Sequence, residues 1–144
     1  MRLLIIGLVA LTAAAIAFAD DAIDRSKLIG AWQLQTSPDK ASGTVWTFEE
    51  KGDSMHVVVS ENNGKVADFE CNVEGRECEI KESGKQAKIS MWYSGPKLVE
   101  LETRGSDTVK RRFGIKDTGD MMEIEIIPVV PAGKTEVLTL KRVH

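Results

Sequence analysis

The chain is poor in the residues on which most enzyme chemistry depends. Of 144 residues, two are histidine and two are cysteine. His56 stands alone in "MHVVVS" and His144 ends the chain, so no pair of histidines has a metal-motif spacing. There is no HExxH, no nucleophile elbow and no Gly-rich phosphate loop. A metal site would have to combine Cys71, Cys78 and His56, in competition with a disulfide. Neither an enzyme activity, a cofactor nor a metal is expected.

An excess of positive charge is also lacking. Lys and Arg number 19 against 22 Asp and Glu, a net charge of −3 with both signs interspersed. No basic stripe and no low-complexity tract occurs, which excludes the usual electrostatic footprint of a nucleic-acid binder. After the first nineteen residues no helical i, i+3, i+4, i+7 stripe appears, and only one short helical turn is expected, in "DDAIDRSKLIG".

The one long apolar run lies at the start. Met1-Arg2 followed by "LLIIGLVALTAAAIAF" has the charged n-region and short alanine-rich h-region of a signal peptide. Ala17 and Ala19 supply small residues at the −3 and −1 positions, with Asp20-Asp21 beyond. Residues 1–19 are read as a leader cleaved after Ala19. Residues 20–144 are read as one exported domain, periplasmic or secreted, without a membrane span. The leader holds one Arg and no acid, so removing it shifts the net charge from −3 to −4. The remaining length suffices for one hydrophobic core. In an exporting compartment Cys71 and Cys78 can form a structural disulfide, free thiols being the alternative. "FECNVEGRECEI" reads as a hairpin turning at Glu74-Gly75, with the two cysteines on one face.

From Leu28 onward, segments of alternating character are separated by turns such as "SPDKASG", "NNGK", "SGPK", "RGSD" and "PAGK". This predicts an all-β, antiparallel up-and-down meander of about 8–10 strands. Closure into a barrel removes the open edges of so large a sheet, a two-sheet sandwich being the alternative. Alternation puts Trp46 and Phe48 on one inward face, then Ala67, Phe69, Cys71 and Val73, then Cys78 and Ile80. Ala87, Ile89, Met91 and Tyr93 follow, then Val99, Leu101 and Thr103, then Val109, Phe113 and Ile115, then Met122, Ile124 and Ile126. Lys110 and Arg112 are expected outside with Glu100, Glu102, Glu123 and Glu125.

Gly30-x-Trp32 on the first strand, followed by such a meander, resembles the lipocalins and their calycin relatives, including fatty-acid-binding proteins. The resemblance implies that Trp32 plugs one end of a barrel. It also implies that a basic residue of "VLTLKRVH", Arg142 or Lys141, packs across the indole. The two helices that fatty-acid-binding proteins insert after the first strand have no counterpart, since only "TSPDKASG" is available. The segment "KLVELETRGSDTVKRRFGIKDTGDMMEIEII" resembles small exported bacterial lipocalin-like proteins.

Two functional readings follow. In the first, a small hydrophobic or amphipathic molecule sits inside the barrel. Trp46, Phe69, Tyr93 and Phe113 then form the apolar wall, and Arg111 anchors an acidic head. Arg111 falls on the inward face, where a lone cation is costly, so a pairing with an acid such as Glu100 is its alternative role. In the second, the barrel is packed solid and acts on a protein partner through its surface, with outward Trp92 beside "SGPK" as the contact.

Overall fold

The computed structural model describes residues 24–144 except positions 83 and 117, and residues 1–19, read above as a leader, lie outside the described residues. A 3-10 turn at Ser26–Leu28 precedes ten strands. These are β1 (Gly30–Ser37), β2 (Lys40–Lys51), β3 (Ser54–Glu61), β4 (Gly64–Asn72) and β5 (Cys78–Glu82). They continue as β6 (Lys85–Ser94), β7 (Lys97–Arg104), β8 (Asp107–Lys116), β9 (Met121–Val130) and β10 (Glu136–Arg142). Every pairing is antiparallel, and the sheet order is β4-β3-β2-β1-β10-β9-β8-β7-β6-β5. The first and last strands therefore pair, and the two ends of the sheet are β4 and β5, in mid-chain. This is a nearly closed barrel.

Short turns fix the registers. Asn62 and Asn63 take positive φ angles of 49° and 68° and reverse β3 into β4, a conformation that asparagine tolerates. Register shifts in β1–β2, β3–β4 and β8–β9 bend the sheet as a barrel requires. The interior fills with Trp32, Phe48, Met55, Val57, Phe69, Ile89, Met91, Leu98, Phe113, Met122, Ile124 and Leu140.

The inward faces of β2, β4, β6, β8 and β9 are those read from alternation. On β7 the reading is reversed. The two-residue turn at Gly95-Pro96 pairs Ser94 with Lys97 and hence Tyr93 with Leu98. Leu98, Glu100 and Glu102 therefore face in, while Val99, Leu101 and Thr103 face out. A slip of one residue exchanges every side chain between faces. Apolar alternation favoured the other register. What reconciles buried acids with the core is the cation opposite, since Glu100 pairs directly with Arg111.

The cysteine segment is a second correction. Cys71 and Cys78 are disulfide-bonded, with Cα atoms 5.9 Å apart. They do not flank a hairpin, because β4 and β5 share no ladder. The disulfide instead links the two free ends of the sheet across the barrel seam.

Candidate functional site

The closed end is built around Trp32, which is fully buried. Its indole Nε1 donates to the Leu28 carbonyl at 2.9 Å, tying the 3-10 turn to β1. Arg142 lies over the indole face, its guanidinium carbon 4.2 Å from the ring centroid. The same guanidinium donates to the carbonyls of Lys27, Ile29 and Gly119, gathering the chain start, the β8–β9 turn and the last strand. Lys141 turns away and donates to the Pro38 carbonyl. Gly30 has φ +127°, and a Cβ there would lie 2.9 Å from an Arg142 guanidinium nitrogen. The spacing of Gly30 and Trp32 thus follows from geometry: the ring is the floor, and the glycine leaves room for the cation above it.

Higher in the interior, aromatic rings from β2 and β8 meet across the barrel. Phe113 is edge-on to Phe48 at 5.2 Å and tilted against Trp46 at 5.5 Å. Phe113 and Phe48 are buried to within 1%. They act as core, and the interior beneath them is filled.

Space opens at the end where β3 turns into β4 and β7 into β8. A cavity of about 190 Å³ there is lined on one side by Trp46, Val59, Ala67 and Phe69. Glu100, Glu102, Arg104 and Arg111 line the other side. Arg111 donates to Glu100 at 2.9 Å and to Glu102 at 2.6 Å, and Arg104 also donates to Glu102. Glu100 is 2% exposed and Glu102 8%. Burial pushes the Glu102 carboxyl up, but hydrogen bonds and charge from Arg111 and then Arg104 outweigh it and hold the group below its ordinary value. Burial likewise disfavours the charged Arg111, and the two carboxylates more than restore it. The cluster is internally neutral, two guanidiniums against two carboxylates.

Of the residues expected at an interior ligand, Trp46, Phe69 and Arg111 come together at this cavity. Phe113 lies behind Trp46 in the core. Tyr93 is placed elsewhere: it sits at the floor end, half-buried, under the Arg25 guanidinium at 4.3 Å. The pairing of Arg111 with Glu100, its alternative role in the sequence, is present. Glu102 and Arg104 are the lining residues that sequence reasoning missed, and the two-residue turn "SGPK" was the signal for their register. Trp92 does face outward and is partly covered, its backbone bridging to Glu74. His56 is on the outer surface, 2.6 Å from Asp68, which also binds Lys65. Among the described residues no group of three or more His, Cys, Asp or Glu is arranged to hold a metal ion.

No protein family matches this sequence, and no curated protein matches it. Solved structures do match by shape. A secretory abundant heat soluble protein from Ramazzottius varieornatus aligns with a TM-score of 0.68 at 15% identity, covering 81% of this chain and 96% of that one. The REP1-NXSQ fatty acid transporter gives 0.66 at 16% identity, covering 83% and 98%. A Schistosoma mansoni fatty acid binding protein in complex with arachidonic acid gives 0.63 at 19% identity, again covering 83% and 98%. These similarities are of fold: the chain has the lipocalin-like, calycin-type β-barrel architecture.

Proposed function

We propose that this protein is exported and binds a short apolar or weakly amphipathic molecule at the open end of its barrel. The observation that carries the reading is the cavity of about 190 Å³ in which Trp46, Val59, Ala67 and Phe69 face the Arg111 cluster. Two of the similar structures are named as a fatty acid transporter and a fatty acid binding protein, which supports a hydrophobic ligand. The cavity is below the roughly 300–1,000 Å³ of a drug-sized ligand site. The cargo is therefore small, or its tail lies partly outside.

Arg111 is the group that meets the ligand head. Its charge is already matched by Glu100 and Glu102, so an acidic head would have to displace a buried carboxylate. A neutral acceptor, such as an ester, ketone or alcohol, requires no such exchange. Export rests on the leader-like residues 1–19 and agrees with the disulfide.

The test is native mass spectrometry of protein isolated from its own host, compared with the denatured mass. The expected result is a chain beginning at Asp20 with its disulfide intact, carrying a discrete small molecule that denaturation releases. An apo mass together with no saturable binding of decanol or decanoate would overturn the interior reading.

A second reading is favoured by the filled core beneath Trp46. In it the barrel holds no interior ligand and binds a protein partner through Trp92, so Trp92→Ala abolishes partner capture and decanol shows no saturable binding to the wild type.

A further inference from the structure

A larger opening lies at the closed end, sharing no residue with the mouth cavity. It is a cleft of about 530 Å³. One wall is the end of β6, with Trp92 and Tyr93. A second is the β2–β3 turn, with Glu50 and Asp53. The third is the disulfide loop, with Val73 and Glu74. Backbone bonds hold that loop in place: Val73 N–H donates to the Asp53 carbonyl at 3.1 Å and Gly75 N–H to the Met91 carbonyl at 2.8 Å.

The chemistry of the lining is one-sided. Three carboxylates face one cation, Arg25. Glu74 is engaged by Arg76 at 2.7 Å, whereas Glu50 and Asp53 make no ion pair among the described residues. Tyr93 and Trp92, neighbours on β6, border the same space, Tyr93 with its ring. Arg25 already lies over the Tyr93 ring at 4.3 Å, and its Nε donates to the Gly95 carbonyl at 3.4 Å. The chain itself therefore demonstrates what this ring face accepts, a guanidinium. Burial, with the Glu50 charge, raises the Tyr93 hydroxyl above its ordinary value, so the ring is a neutral phenol.

We propose that this cleft is a binding site for a small organic cation, an alkylammonium or guanidinium compound. Tyr93 supplies the ring face and Glu50 and Asp53 the counter-charge. Arg25 is a resident competitor that the ligand displaces. A cation over an aromatic face gains from the ring quadrupole, most of all where the site is partly desolvated. The carboxylates add attraction that salt screens.

The probes are agmatine and tetramethylammonium, titrated by calorimetry into the intact protein at low ionic strength. Saturable binding of at least one is expected, weakening as salt is added. Tyr93→Leu is expected to weaken it roughly 3- to 30-fold, the range of a cation–aromatic contact. Glu50→Gln with Asp53→Asn weakens it by roughly fivefold. Arg25→Ala tightens it, since the ring face is then vacant, and a merely structural Arg25 predicts no gain. Decanol at saturation leaves the affinity unchanged, which separates this cleft from the mouth. Unfolding curves on each variant distinguish a lost site from a lost fold. No saturable heat from either probe, with the wild type and with folded Arg25→Ala alike, would overturn the proposal. So would binding that survives undiminished when Glu50, Asp53 and Tyr93 are all replaced.

Discussion

Arg111 binds two carboxylates that are themselves almost out of contact with water, and this makes it a poor site for a simple alanine test. Removing it leaves Glu100 and Glu102 short of a cation in a low-dielectric interior. Breaking a buried pair in this way costs about 3–5 kcal/mol. Arg111→Ala is therefore expected to destabilise the fold by that amount in urea unfolding, whatever it does to ligand. Replacing Arg111, Glu100 and Glu102 together by Met or Leu is expected to be close to neutral, since no charge is then left buried. The same cluster sets an acid limit. The folded-state value of Glu102 is lowered, so its contribution is complete above the ordinary value of about 4.5 and is lost as pH falls through the lower, folded value. Melting temperature should drop on acidification below about pH 4.5, and Glu102→Gln should flatten that part of the profile. At the floor, Gly30→Ala meets both a positive φ and the Arg142 guanidinium, which four carbonyl contacts hold in place. A loss of about 1–3 kcal/mol is expected, the range for a strained backbone position.

At the level of strands, the disulfide does what a ladder does elsewhere. β4 and β5 are joined by Cys71–Cys78 and not by hydrogen-bonded pairing. In the chain-entropy treatment a loop this short contributes about 2–2.5 kcal/mol. Cys71→Ser with Cys78→Ser is expected to lose about that much in urea unfolding. Amide exchange should then accelerate first in β4 and β5, the strands with one free edge, while β8 and β9 stay protected. This seam also shows where sequence reading reached and where it stopped. Alternation and turn residues were enough for the strands and for the inward faces of β2, β4, β6, β8 and β9, while the packing of Arg142 or Lys141 on Trp32 came from the resemblance to lipocalins. They placed both cysteines on inward faces, but could not tell that β4 and β5 lie at opposite ends of one sheet, because local turn signals are blind to which strands pair. On β7 the run Leu-Val-Glu-Leu-Glu offers one apolar alternation, Val99 with Leu101, and only the pairing across the Gly95-Pro96 turn shows that the face of Leu98, Glu100 and Glu102 is the inward one. Glu102 went unseen at the mouth for that reason, and Glu100 was reached only as the alternative partner of Arg111. Trp46, Phe69 and Arg111 were legible because each lies on a strand with one clear apolar face.

For the whole molecule the decisive contact is the pairing of β1 with β10, which closes the barrel between residues more than a hundred positions apart: Trp32 faces Arg142 and Leu34 faces Leu140. Loop closure over that separation must precede any reward from the pairing, and folds dominated by such contacts fold slowly. The seam between β4 and β5 is the opposite case, close in sequence but without a ladder. A circular permutant follows from this contrast. The two ends of the described chain already meet at the floor, where Val143 N–H donates to the Ala31 carbonyl at 2.9 Å and Arg142 reaches Lys27 and Ile29. A flexible Gly/Ser linker of about ten residues spans some 16–19 Å on average, and it would join His144 to Asp24. New termini between Arg76 and Glu77 would cut the chain inside the loop that the disulfide spans, leaving every strand pairing intact. This permutant is expected to keep the barrel and its disulfide, and to refold faster than the natural order because β10 and β1 become sequence neighbours. Stopped-flow refolding of the oxidised proteins reads the rate. Equal or slower refolding in a permutant whose unfolding remains cooperative would show that β1–β10 closure is not the slow step.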